Sequence, residues 1–79
     1  PQFSVDKEDM NNDILSFLSE STNVFNSKAE ARRMINSNAV SINKEKIGIE
    51  VSLSDVNLIS NKYLLVQKGK KNYFLITVI

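Results

Sequence analysis

Lys28 and Arg32 stand four residues apart, directly after Ser27 and with Arg33 alongside. On a helix that spacing sets an ammonium and a guanidinium one turn apart on the same edge. They would sit beside the helix start, whose free amides and positive dipole end suit a phosphate. Two more cationic groups follow: Lys44 and Lys46 on a polar turn, and Lys68, Lys70 and Lys71 around Gly69. Three such groups on one face would form a band matching a structured RNA backbone, giving affinity and salt dependence but little sequence readout. Asn43 is placed to reach a ribose, although an Asn before Lys-Glu is first a turn residue. Tyr63 and Tyr73 offer rings for base stacking, with cover of a sheet face as the stronger reading. The bland alternatives are a solvated lysine surface and, for Arg33, an exposed pair with Glu30.

Catalytic chemistry has little to work with. The chain has 79 residues, no cysteine and no histidine, which removes disulfides, thiolate metal sites and the side chain best suited to proton transfer near neutrality. A domain of this length buries only about 60% of its unfolded surface, too little for a deep cleft. Asp6, Glu8, Asp9 and Asp13 are close in sequence, but paired carboxylates do acid–base work only in a rigid cleft that splits their pKa values. A solvated face explains them better. Gly48 and Gly69 are isolated, so no glycine loop cradles a phosphate. No catalytic residue, metal ligand or cofactor is therefore expected in this chain.

Charge is distributed unevenly. Residues 1–26 hold one cation against five anions, net −4, and residues 27–79 hold nine cations against four anions, net +5; no acid follows Asp55. Such asymmetry suggests an electrostatic face for an anionic partner. No apolar run approaches the ~20 residues of a membrane span and nothing resembles a signal peptide, so a cytoplasmic location is expected. The first residue is Pro1, which suggests a fragment of a larger protein.

The elements that must position the cations can be read in order. Residues 1–9 are polar and acidic, with Phe3 and Val5 as the only large apolar groups, and residues 1–10 are expected as a linker or extended leading segment before a single domain over 11–79. Ile14, Leu15 and Leu18, extended by Met10 and Phe17, predict a helix over Asn11–Ser21 capped by Asn11 or Asn12. Val24 and Phe25 form an apolar connector under the next helix. Ser27-x-x-Glu30 fits a capping box, with the hydroxyl accepting from the Glu30 amide and the carboxylate reaching back to the Ser27 amide. Ala31, Met34 and Ile35 then share one face of the helix, and Lys28 and Arg32 border it. Asn38 ends the helix in a left-handed turn. Val40 and Ile42 alternate with polar residues as a half-buried strand, Asn43–Lys46 is a turn, and Ile47–Val51 is expected as the return strand. Leu53, Val56 and Ile59 allow one helical turn. Tyr63–Gln67 and Asn72–Val78 predict a hairpin with a cationic tip.

Ser27-Lys28-Ala29-Glu30-Ala31-Arg32-Arg33-Met34-Ile35 through Val40-Ser41-Ile42-Asn43 resembles the alpha-L RNA-binding motif of small-subunit ribosomal protein four. Together with Tyr63-Leu64-Leu65 and Lys68-Gly69-Lys70-Lys71-Asn72-Tyr73, it is similar to the C-terminal domain of bacterial tyrosyl-tRNA synthetases over roughly residues 12 to 78. The usual glycines are replaced by Asn38, Ala39 and Lys44. The resemblance implies a small α+β alpha-L type fold, two N-terminal helices on a small, mostly antiparallel sheet. It also implies a partner, tRNA(Tyr), met near its anticodon stem and variable arm. ATP and tyrosine would be used by a separate catalytic domain of a homodimeric ligase, so this chain would not itself be an enzyme. The candidate contacts are Ser27, Lys28, Arg32, Arg33, Asn43, Lys44, Lys46, Lys68, Lys70 and Lys71. Two alternatives stay open: the same motif in a ribosome-associated or RNA-modifying protein, and a protein-interaction domain that meets no RNA.

Overall fold

The computed structural model describes residues 2–79. Its centre is a five-stranded mixed sheet in the order β1-β5-β4-β2-β3. The strands are β1 (Gln2–Val5), β2 (Val40–Ile42), β3 (Glu45–Lys46), β4 (Tyr63–Lys68) and β5 (Asn72–Val78). Helices α1 (Ile14–Ser16) and α2 (Lys28–Asn36) lie on one face, as the α+β expectation required.

Register explains which side chains meet the helices. Val40 stands opposite Lys68 and Ile42 opposite Val66, while Leu64 pairs with Ile76. Val40, Ile42, Leu64, Val66 and Ile76, with Val5 and Val78, are buried in one cluster with Ile14, Phe17 and Leu18 before α2, Ala31 and Ile35 within it, and Val24 and Phe25 between the helices. The expected apolar connector at Val24-Phe25 is therefore core. Strand alternation puts Tyr63, Leu65, Tyr73 and Leu75 on the opposite face.

The leading segment is extended, but it belongs to the sheet. β1 pairs parallel with β5, Gln2 opposite Leu75 and Val5 opposite Val78. Val5 is buried, and the Phe3 ring stacks on Phe74 with centroids 6.0 Å apart. Two apolar residues at alternate positions suffice because the partner strand, more than 70 positions along the chain, supplies the rest of the ladder. Pro1, the first residue of that expected segment, lies outside the described residues. A 3₁₀ turn over Lys7–Asn11 follows, closed by the Asp6 amide donating to Asp9 Oδ2 at 3.1 Å.

The first helix begins later than Asn11. Asp13 caps it: Oδ2 accepts from the Ser16 amide at 3.1 Å and Oδ1 from the Ser16 hydroxyl at 2.8 Å. A carboxylate at this position outcompetes the asparagines before it, because it engages an amide and a hydroxyl together. These bonds, the side-chain one foremost, hold the Asp13 carboxyl below its ordinary value of 3.8. From Phe17 to Ser21 the helix widens into a π turn, and the Thr22 amide and hydroxyl both donate to the Phe17 carbonyl.

The return strand is also shorter and earlier than Ile47–Val51. Asn43 and Lys44 both adopt positive φ, 52° and 73°, a two-residue turn that fixes the return at Glu45–Lys46. Residues 47–52 then leave the sheet through a turn closed by the Val51 amide on the Gly48 carbonyl. The helical turn expected between Ser52 and Ser60 is a 3₁₀ turn over Leu53–Asp55.

Candidate nucleic-acid interface

The start of α2 is built from Ser27. Its hydroxyl accepts from the Glu30 amide at 3.1 Å, as expected for the cap. The Glu30 carboxylate reaches one residue further back than a capping box requires, to the Asn26 amide at 3.3 Å. The end of α2 is a Schellman arrangement: Asn38 at φ 57° lets the Ala39 amide reach the Met34 carbonyl and its own amide the Ile35 carbonyl, each at 3.0 Å. Asn38 thus supplies the turn that a glycine usually makes.

These caps set α2 in place with Lys28, Arg32 and Arg33 exposed. Lys28 lies 3.5 Å from the exposed Glu20 carboxylate, a contact that solvent screens. Arg32 and Arg33 form no ion pair among the described residues. Arg33 therefore does not take Glu30, which faces Lys68 instead at 4.0 Å.

Lys68 is fastened inward. Its ammonium donates to the Val24 carbonyl at 3.1 Å, sits 4.8 Å from the Phe25 ring centroid and points toward Glu30. Of the three lysines at the hairpin, this one holds the sheet to the start of α2, and Lys70 and Lys71 remain exposed at the tip. The tip is tied to the other end of α2 as well, since the Gly69 amide donates to the Ala39 carbonyl at 2.7 Å. Gly69 carries φ 73°, which fits its type. Helix and hairpin tip therefore form one unit, clamped at Val24 and at Ala39.

Lys44 and Lys46 stand apart from that unit. Their turn is at the far end of β2, four residues or roughly 13 Å along the strand from the position opposite Lys68. By register Lys46 lies opposite Ser41, on the face away from the helices. Asn43 is committed to the scaffold: Oδ1 accepts from the Leu65 amide at 2.9 Å, and Nδ2 donates to the Asn57 carbonyl at 2.8 Å. A cleft of about 410 Å³ opens beside this turn, but Glu45, Glu50 and Asp55 line it against the single cation Lys46. That charge balance is wrong for a phosphate.

Lys62 is a cation that motif reading passes over. Its ammonium lies 5.2 Å from the Tyr63 ring centroid, and its signal is its place directly before the aromatic that opens β4. No group of His, Cys, Asp or Glu able to hold a metal occurs among the described residues. Nor is any described helix long and apolar enough to cross a membrane.

Comparison with known proteins gives a consistent result. The family described as Tyrosine--tRNA ligase SYY-like C-terminal domain matches residues 1–76. A tyrosine–tRNA ligase of Flavobacterium johnsoniae is 44% identical over 81 aligned positions, covering 100% of this chain and 19% of that protein. One from Cytophaga hutchinsonii is 55% identical over 64 positions, 81% of this chain and 15% of that protein. One from Porphyromonas gingivalis is 40% identical over 81 positions, 99% of this chain and 19% of that protein. The chain thus spans about a fifth or less of the length of these relatives.

Proposed function

Because this chain belongs to the family of tyrosine–tRNA ligase C-terminal domains, we propose that it is a tRNA-docking module that holds tRNA(Tyr) by its phosphates. The observation that carries the reading is the exposed edge of α2. Arg32 and Arg33 have no carboxylate partner among the described residues, and Lys28 stands one turn before Arg32. A guanidinium grips phosphate oxygens through paired N–H donors, and the first amides of the helix add a positive pole. Lys70 and Lys71, held beside α2 by the Gly69–Ala39 bond, extend the contact. Lys44 and Lys46 provide a second point of attachment further along the backbone of a long RNA. Ser27, Asn43 and Lys68 act by shaping the surface.

In this reading the mechanism is positioning. The host is a homodimeric cytoplasmic ligase whose separate catalytic domain consumes ATP and tyrosine. The module fixes the anticodon stem and variable arm so that the acceptor end reaches that domain. Since phosphate contacts carry the affinity, discrimination comes from RNA shape. Removing the module from the host enzyme is the test. Tyrosine activation should persist while KM for tRNA(Tyr) rises steeply; equal tRNA kinetics with and without the module would overturn the proposal.

A further inference from the structure

The helices cover one face of the sheet and leave most of the other open, although Ser41 at its β2 side is buried. Tyr63, Leu65, Tyr73 and Leu75 lie on the other face, and none of them joins or packs against the core cluster. Tyr73 is 47% exposed, and the other three are half-buried. Leu65 stands directly opposite Leu75 at the centre. Tyr63 lies two residues along β4 in one direction and Tyr73 two residues along β5 in the other, so the rings are roughly 13 Å apart across the leucine pair. The pattern is ring, leucine floor, ring.

Charge indicates what this floor receives. The register places no acidic residue on it, whereas Lys46 lies at its β3 flank. Lys62 reaches the Tyr63 ring, and Lys70 and Lys71 occupy the loop at the Tyr73 end. The Tyr63 ring thus has an ammonium beside it, and the Tyr73 ring opens the strand that follows a cationic loop. A flat π surface next to a cation matches a flat base next to a phosphate, and every base has such a face. A protein surface would use the leucines, but it would need carboxylates set at both ends to use the lysines, whereas a nucleotide strand carries its phosphates at every step.

We propose that this open sheet face is a second RNA contact, which stacks unpaired nucleotides on Tyr73 and Tyr63. The inference rests on the tRNA-docking reading and adds to it a site on the opposite side of the sheet from α2.

The chain has two tyrosines and no tryptophan, so its intrinsic emission reports on this face alone. The test is titration with a short unstructured oligouridylate, followed by tyrosine emission and tyrosine ring NMR signals, in the native chain and in Tyr73→Leu, Tyr63→Leu and Tyr73→Phe. Both ring signals should move on binding. Each Leu variant should weaken binding about fivefold or more, the lower end for one lost base–aromatic stack, and Tyr73→Phe should keep it. Unchanged melting temperatures would show that the fold is intact. Absent oligouridylate binding, or binding indifferent to both Leu variants, would overturn the inference. If tRNA binding still depends on Arg32 and Arg33 in that event, the docking reading stands and only the second contact falls. If the chain binds oligouridylate through the tyrosines but not tRNA(Tyr), the docking reading falls instead.

Discussion

Replacing Lys68 by methionine separates a structural lysine from a phosphate ligand. Methionine keeps an unbranched stem against Phe25 and removes only the ammonium. Three interactions go with it. A charged hydrogen bond such as that to the Val24 carbonyl, 3.1 Å long, is worth about 1.5–3 kcal/mol. The contact with Phe25 at 4.8 Å adds about 0.5–1 kcal/mol. The 4.0 Å approach to Glu30 adds little, since the two side chains are 27% and 31% exposed and water screens them. These terms overlap, and water can reach part of the site, so a net loss of about 1–2 kcal/mol is expected. For a domain this small that lowers Tm by roughly 5–15 °C. The assay is a thermal melt by circular dichroism beside a tRNA titration at several salt concentrations. Tm should fall while the salt dependence of binding holds. An unchanged Tm with a shallower salt slope would make Lys68 a phosphate contact and refute the reasoning.

Other substitutions probe the turns and the cap. Lys44→Gly relieves a left-handed lysine at φ 73° and should raise stability by about 1 kcal/mol in urea denaturation, with a small loss of tRNA affinity. Asn43→Ala strips the partner from the Leu65 amide and puts alanine at φ 52°, so stability should fall by about 2–3 kcal/mol. The Asp13 carboxyl is held below its ordinary 3.8 by Ser16, so the unfolded chain takes up that proton first. Its contribution to stability is complete above that value and is lost as pH falls through the lower native one. Asp13→Ala should therefore lower Tm near neutrality and flatten the Tm-against-pH curve below about pH 4.

Local signals were legible in the sequence and distant ones were not. The Ser27 cap, the left-handed Asn38 and the Asn72–Val78 strand depend on neighbouring residues, and each stands where its residue types place it. β1 was hidden because its acidic surroundings look solvated and its partner β5 is at the other end of the chain. The return strand at Glu45–Lys46 is not legible because Lys44 does not announce positive φ as glycine would. At the interface, the cations are legible in the sequence but their partners are not. Glu30 is three residues from Arg33, so helix spacing favours that pair; only the folded sheet brings Lys68 to it. Asn43 shows the same limit, since Leu65 and Asn57 are remote in sequence yet take both ends of its amide.

The salt dependence of tRNA(Tyr) binding tests the central claim most directly. The α2 edge and the hairpin tip alone supply about five phosphate contacts, from Lys28, Arg32, Arg33, Lys70 and Lys71, so affinity should fall at least roughly 10² to 10³-fold between 50 and 200 mM salt. Arg32→Ala with Arg33→Ala should weaken binding at low salt and reduce the log–log slope by about 2, with Tm unchanged. Binding whose affinity and slope match the native chain after both arginines are removed would contradict the account.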